Sequence, residues 1–106
     1  MSTRAMIAVR RKDSFYDAAY LHFDGYPEHT GETLMQHHNT QTAAETLVAG
    51  GELRCLDRKT GTPERYANAR PPAILPKHDS LIEFAKNCGA QYVYVFDDGA
   101  WSCKEL

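Results

Sequence analysis

Cysteine is scarce in this chain, and its thiols are widely spaced. Only three cysteines occur among the 106 residues, and no Cys-x-x-Cys pair involves Cys55, Cys88 or Cys103. An odd number of isolated cysteines is typical of reduced thiols, so we expect neither a disulfide framework nor a zinc knuckle. The three thiols are expected to act as small apolar groups.

Long apolar runs are absent as well. No stretch approaches the roughly 20 apolar residues that a membrane-spanning helix needs, so no membrane partner is expected. The opening residues 1–4 lack the apolar core of a signal peptide. We therefore expect a protein of the cytoplasm.

Neither charge nor sequence motifs point to common catalytic or nucleic-acid-binding classes. Twelve Lys and Arg residues stand against 14 Asp and Glu, which gives a formal net charge of −2. This balance argues against a mainly electrostatic nucleic-acid binder. The chain has no glycine-rich phosphate loop, nucleophile elbow, Cys–His nucleophile signature or His-Glu-x-x-His motif. Enzymatic activity is therefore the less favoured expectation, and no cofactor is expected.

Hydrophobic patterning predicts strands at both ends of one domain that spans residues 1–106. The predicted strands cover residues 5–10, 15–23, 91–96 and 100–104. The turns at residues 12–14 and at Asp98-Gly99 join them into an N-terminal and a C-terminal hairpin. In the third strand, valines line one face and aromatics the other, and alternation alone leaves open which face packs against helices.

Helices are predicted between the two hairpins. Thr30 is expected to cap a helix over residues 31–38, Thr42 one over 43–49, and Ser80 one that ends at Gly89. The segment 52–67 is the least certain, with a small hairpin as one option, and residues 68–78, which contain three prolines, are expected to form an extended connection. The expected fold class is α+β, an antiparallel sheet built from the two hairpins with about three short helices packed on one face.

Aromatic, histidine and acidic residues are concentrated between residues 20 and 34, around the turn Asp24-Gly25-Tyr26-Pro27. The candidate recognition surface consists of Tyr20, His22, Asp24, Tyr26, His29 and Glu32. His22, Asp24 and His29 are residue types that bind transition metals. Structural roles are the alternative, with Asp24 forming the turn and His22 hydrogen-bonded to anchor it.

A basic group lies near the N-terminus, and its members are Arg4, Arg10, Arg11 and Lys12. Such a group could bind phosphate or nucleic acid. The alternative is a solvated sheet edge whose charge resists strand-on-strand aggregation.

Several segments resemble a family of small uncharacterised proteins from bacteriophages and prophage-bearing bacteria. They are Met1-Ser2-Thr3-Arg4-x-x-Ile7-Ala8-Val9, Tyr20-x-His22-Phe23-Asp24-Gly25-Tyr26-Pro27, Gly31-x-x-Leu34, Ala44-x-x-Leu47-Val48-x-x-Gly51 and Tyr92 to Trp101. Phe23 replaces a tryptophan that is frequent in the family, and His37-His38 replaces a His-Tyr pair. The family has no assigned activity, so the resemblance implies a phage origin and carries over no catalytic residue.

The leading functional hypothesis is a phage accessory protein that binds a host protein or complex stoichiometrically in the host cytoplasm. Inhibition of a host process or defence system, such as a CRISPR effector, is the expected outcome. One alternative is a small metal- or nucleic-acid-dependent enzyme centred on His22, Asp24 and His29. Another is a nucleic-acid-binding module that uses the basic N-terminal hairpin. Homodimerisation through the aromatic C-terminal hairpin is a further expectation, since exposed aromatic rows are typical of interfaces.

Overall fold

A computed structural model describes residues 2–106, and it confirms the α+β class. Met1 of the opening motif lies outside the described residues. The strands are β1 (Ala5–Arg10), β2 (Tyr16–Leu21), β3 (Cys55–Leu56), β4 (Pro63–Glu64), β5 (Ala73–Leu75), β6 (Tyr92–Asp97) and β7 (Ala100–Glu105). The helices are α1 (Glu32–His37), α2 (Gln41–Ala49) and α3 (His78–Asn87), and a π-helical turn over Pro27–Gly31 precedes α1.

The two predicted hairpins meet in one five-stranded sheet with the order β5-β2-β1-β6-β7. The pairs β1–β2 and β6–β7 are antiparallel, whereas β1 and β6 run parallel from Ala5↔Tyr92 to Val9↔Phe96. The outer strand β5 pairs with the first half of β2. It was not predicted, because three residues beside a run of prolines give almost no periodic signal, although prolines are tolerated at a sheet edge.

The helices cover both faces of the sheet, and the expected placement on one face is wrong. The helices α1 and α2 pack on one face and α3 packs on the other. The cause lies in the central strands, since every residue of β1 from Ala5 to Val9 is buried. A strand that is apolar on both sides needs cover on both sides.

The strand β6 is likewise buried on both faces. Tyr94 and Phe96 lie under α1 and α2, while Val93 and Val95 lie under α3. The aromatic row is therefore not an exposed surface for self-association. Self-association itself stays a prediction.

The beginnings of all three helices differ from the predicted positions. The side chain of Thr40, rather than Thr42, caps α2 by accepting a hydrogen bond from the amide of Ala43 at 3.1 Å. The buried hydroxyl of Thr30 donates to the carbonyl of Asp24 at 2.7 Å and caps no helix, because Pro27 starts the helical turn upstream. The helix α3 begins at His78, ahead of Ser80.

The end of α3 agrees with prediction. Gly89, with φ of +83°, follows its last turn, in the left-handed conformation that glycine adopts easily. Among residues 2–106, no helix combines the length and apolar character that crossing a membrane requires.

The segment between α2 and β5 takes the hairpin option, with β3 and β4 paired antiparallel. The Asp57 carboxylate holds the connecting turn by accepting hydrogen bonds from the amides of Lys59 and Thr60, both at 2.9 Å.

Three histidine rings attach the segment between α2 and β5 to the first half of the chain. The Nε2 of His22 donates to a carboxylate oxygen of Glu52 at 2.6 Å. The Nε2 of His29 donates to the Leu56 carbonyl at 2.8 Å. The Nε2 of His38 donates to the Gly61 carbonyl at 2.7 Å. Side chains from residues 22–38 therefore position a segment that has little regular structure of its own.

Candidate functional site

An open cleft lies over β2 because α3 is too narrow to cover its face of the sheet. A helix is about 10 Å wide, whereas five strands spaced about 4.8 Å apart span about 20 Å. The uncovered part forms a cleft of about 510 Å³ between β2, β5 and the C-terminal end of α3. Its polar and ionisable lining includes Arg4, Tyr20, His22, Glu52, Arg70 and Cys88. It is larger than the depressions beside α3 and beside the turn between β1 and β2, which are each about 350 Å³.

The alternation of β2 brings two predicted site residues into the cleft. Ala18 and Tyr20 lie two residues apart and face the same side of the sheet as α3, and His22 continues that row beyond the strand end. The small side chain of Ala18 fills little of the cleft, whereas Tyr20 and His22 provide polar atoms of its lining. The sequence pattern thus predicted the shared location of Tyr20 and His22.

His22 and Glu52 form the closest polar contact of the site, at 2.6 Å between Nε2 and Oε2. The other carboxylate oxygen of Glu52 accepts a hydrogen bond from the backbone amide of Arg70 at 3.2 Å. The hydrogen bond from His22, followed by the one from Arg70, holds the pKa of Glu52 below its ordinary value. Glu52 is therefore a carboxylate at neutral pH with both oxygens engaged, and it orients the His22 ring.

Aromatic contacts also fix the His22 ring. Tyr20 and Tyr66 pack edge-to-face against it, with ring centroids at 4.8 and 5.1 Å. The sequence pattern did not point to Glu52 or Tyr66, because both lie in the segment 52–67, whose conformation that pattern left open. No local signal marks their pairing with a histidine 30 or more positions away.

Two arginines bring positive charge to the cleft. Among residues 2–106, the side chains of Arg4 and Arg70 make no salt bridge with a carboxylate. Burial raises the pKa of the Tyr20 hydroxyl, and the nearby Arg4 opposes that rise. Burial also raises the pKa of the Cys88 thiol, against the influence of Arg70. Cys88 is therefore a neutral thiol at physiological pH and a poor nucleophile.

Exposed aromatic groups continue from the cleft onto the outer surface. Phe23 is 40% exposed and Tyr66 is 36% exposed. The guanidinium of Arg54 lies 5.3 Å from the centre of the Phe23 ring, in a cation–π contact. We call His22, Phe23, Arg54 and Tyr66 the aromatic rim, because the His22 ring contacts the rings on both sides of it.

The remaining members of the predicted recognition surface are not part of the cleft lining. Asp24 is exposed with a left-handed φ of 58°, and Glu32 is exposed in the first turn of α1. Tyr26 packs against His29 with ring centroids 5.9 Å apart. The Nε2 of His29 is occupied by the Leu56 carbonyl.

A metal site is not formed by these residues. His22 donates to Glu52 and His29 donates to a backbone carbonyl, so the two imidazoles serve different contacts. Within residues 2–106, no group of three or more His, Cys, Asp and Glu side chains is arranged to hold a metal ion.

The basic residues of the N-terminal hairpin do not form one patch. Arg10 pairs with Asp97 at 3.5 Å, and Arg11 pairs with Asp13 and Asp17 at 3.0 and 3.5 Å. Lys12 lies beside them, next to Ser14 and Gln41. Arg4 precedes the other end of β1 and lines the cleft instead. Acidic neighbours therefore offset most of the positive charge that is clustered near the N-terminus of the sequence.

Comparison of the chain with protein-family models, curated proteins and solved structures found no match. The cleft and the aromatic rim meet at His22, with exposed aromatic rings on one side of it and the guanidinium groups of Arg4 and Arg70 on the other.

Proposed function

We propose that this chain is a small phage protein that binds a host protein or complex stoichiometrically in the host cytoplasm. Inhibition of a host process or defence system, with CRISPR effectors as one target class, is the proposed consequence. The phage origin rests on the sequence resemblance. The binding role rests on the aromatic rim.

The composition of the aromatic rim supports a protein partner. Tyrosine, phenylalanine and arginine are enriched at protein–protein interfaces, and tyrosine and arginine often carry much of the binding energy. Phe23 and Tyr66 each expose more than a third of their surface, while hydrogen bonds and ring packing hold His22 between them. Rings held in place before binding lose little conformational freedom when a partner covers them.

The charges around the rim favour an acidic partner segment. Arg54 lies over Phe23, and its ion pair with Glu64 at 3.6 Å is exposed on both sides. An exposed pair of this kind contributes little and exchanges readily for another carboxylate.

The test is an affinity pull-down from lysate of the bacterial host, followed by mass spectrometry, with the variants Phe23→Ala and Tyr66→Ala. Phe15→Ala is the matched control, because Phe15 is also 40% exposed and also lies under an arginine, Arg11, at 5.9 Å. We expect one stoichiometric partner with the natural chain and with Phe15→Ala, and its loss with both rim variants.

Three results would contradict the proposal. Recovery of no partner at any salt concentration would remove stoichiometric protein binding. A partner that disappears after nuclease treatment would replace the protein ligand by nucleic acid. Equal recovery with Phe23→Ala and Tyr66→Ala would place the interface elsewhere.

A further inference from the structure

The cleft differs in charge from the protein that surrounds it. Its lining contains two guanidinium groups, from Arg4 and Arg70, and one carboxylate, from Glu52. The chain as a whole has a formal net charge of −2. A locally positive concave surface on an acidic protein attracts anions selectively, because walls of low dielectric constant concentrate the field of the guanidiniums.

The single carboxylate does not neutralise the two arginines. One oxygen of Glu52 accepts from the His22 ring at 2.6 Å, and the other accepts from the backbone amide of Arg70 at 3.2 Å. Within the described chain, no carboxylate lies within salt-bridge distance of either guanidinium. Both guanidiniums therefore lack a carboxylate partner and can bind an anionic ligand, with the Tyr20 hydroxyl beside Arg4.

Part of the remaining lining is apolar. Ala18, Ala73 and Pro71 come from the sheet and its edge, and Phe84 comes from α3. A cleft of about 510 Å³ falls within the range of about 300 to 1,000 Å³ that is typical of small-molecule sites. Such a space holds an apolar body as well as a charged group.

We propose that the cleft binds a small organic anion, whose carboxylate or phosphate group is held by Arg4 and Arg70 and whose apolar body packs on Phe84 and Pro71. Guanidinium groups suit both anions because their planar donors can make paired hydrogen bonds. This site uses residues outside the aromatic rim, apart from the shared neighbour His22, so it does not depend on the proposed protein partner.

The test is titration of ¹⁵N-labelled protein, followed by amide chemical shifts, with phenyl phosphate, benzoate, inorganic phosphate and phenol as separate probes. We expect saturable shifts at the amides of Tyr20, Arg70, Asn87 and Cys88 with phenyl phosphate, benzoate or both. Comparison of the first two probes distinguishes a phosphate from a carboxylate ligand. Inorganic phosphate and phenol, which each lack one half of the ligand, should bind at least about tenfold more weakly.

The variants Arg4→Ala and Arg70→Ala should each weaken binding about tenfold, as expected for the loss of one charged hydrogen-bond partner. Arg58→Ala is the control, since Arg58 is an exposed arginine outside the cleft. All three arginines are exposed, so the variants should keep the dispersed spectrum of the folded chain.

Three results would overturn this inference. They are no saturation by phenyl phosphate or benzoate up to about 10 mM, equally tight binding of inorganic phosphate, and equal loss of binding in Arg58→Ala. Failure of this test leaves the host-protein proposal intact, because that proposal is measured with Phe23→Ala and Tyr66→Ala.

Discussion

The buried hydroxyl of Tyr94 donates a hydrogen bond to the backbone carbonyl of Gly25, at 2.7 Å across 69 positions of sequence. The amide of the same glycine donates to the carbonyl of Thr3 at 2.9 Å. A central strand and the N-terminal segment thus fasten the turn that leads from β2 to α1. Since that turn follows His22 and Phe23 directly, the contact also positions part of the aromatic rim.

Replacement of Tyr94 by phenylalanine should destabilise the protein by about 1 to 3 kcal/mol, because the Gly25 carbonyl would stay buried without its partner. Urea unfolding followed by circular dichroism measures the change. Tyr92→Phe is the control, as the Tyr92 hydroxyl makes no side-chain hydrogen bond within the described residues. Equal stability of the Tyr94→Phe variant and the natural chain would show that this hydrogen bond does not stabilise the fold.

Replacement of Gly25 by alanine should also destabilise the fold, by about 1 to 3 kcal/mol. A Cβ at this position would lie 2.8 Å from the Cβ of Ala5 and 2.9 Å from the carbonyl oxygen of Thr3, so the turn would have to shift. The same unfolding measurement applies, with Gly99→Ala for comparison. Gly99 has open space around it but a φ of +80°, so that variant isolates the backbone strain of about 1 kcal/mol. Gly25→Ala with undiminished stability would contradict the close packing.

Replacement of His38 by alanine should loosen the β3–β4 hairpin without unfolding the five-stranded sheet. The ring donates to the Gly61 carbonyl at 2.7 Å, and its loss removes one of the three histidine contacts to this segment. Hydrogen–deuterium exchange should accelerate about tenfold at the amides of Asp57 and Gly61, which donate hydrogen bonds across the turn. His78→Ala is the control, since His78 lies at the start of α3. Unchanged exchange at both amides would show that the contact does not restrain the turn.

Replacement of Glu52 by glutamine should change how stability depends on pH. The folded-state pKa of Glu52 lies below the ordinary value of 4.5, so its carboxylate stabilises the fold above that pH, and the contribution is lost as pH falls through the folded pKa. Unfolding free energy should drop by about 1 to 3 kcal/mol at pH 7 in the variant. Its further decline between about pH 5 and about pH 3 should be smaller than in the natural chain.

Glu83→Gln is the control for this pH profile, because Glu83 is exposed on α3 and forms no salt bridge within residues 2–106. Unfolding curves collected across the pH range measure the stability of both variants. If Glu52→Gln and Glu83→Gln follow the same profile, the His22–Glu52 contact does not contribute to acid sensitivity.

Only two of the six residues of the predicted recognition surface contribute to the cleft and rim, and the reason is geometric. Tyr20 and His22 share a face because a strand alternates with a period of two, which the sequence displays directly. Asp24 and Tyr26 lie in the sharp turn and His29 and Glu32 follow it, so that period no longer applies to them. His29 in particular donates a hydrogen bond to the Leu56 carbonyl, and this contact depends on where the β3–β4 hairpin packs.

The sequence by itself determined the two hairpins, the approximate helices and the glycine end of α3, because each follows from the periodicity, turn chemistry or capping of neighbouring residues. The tertiary structure decided the rest. The parallel pairing of β1 with β6 and the contact of His22 with Glu52 both join residues far apart in the chain. Such contacts are selected by burial and hydrogen bonding in the assembled fold, and local sequence carries no signal for them.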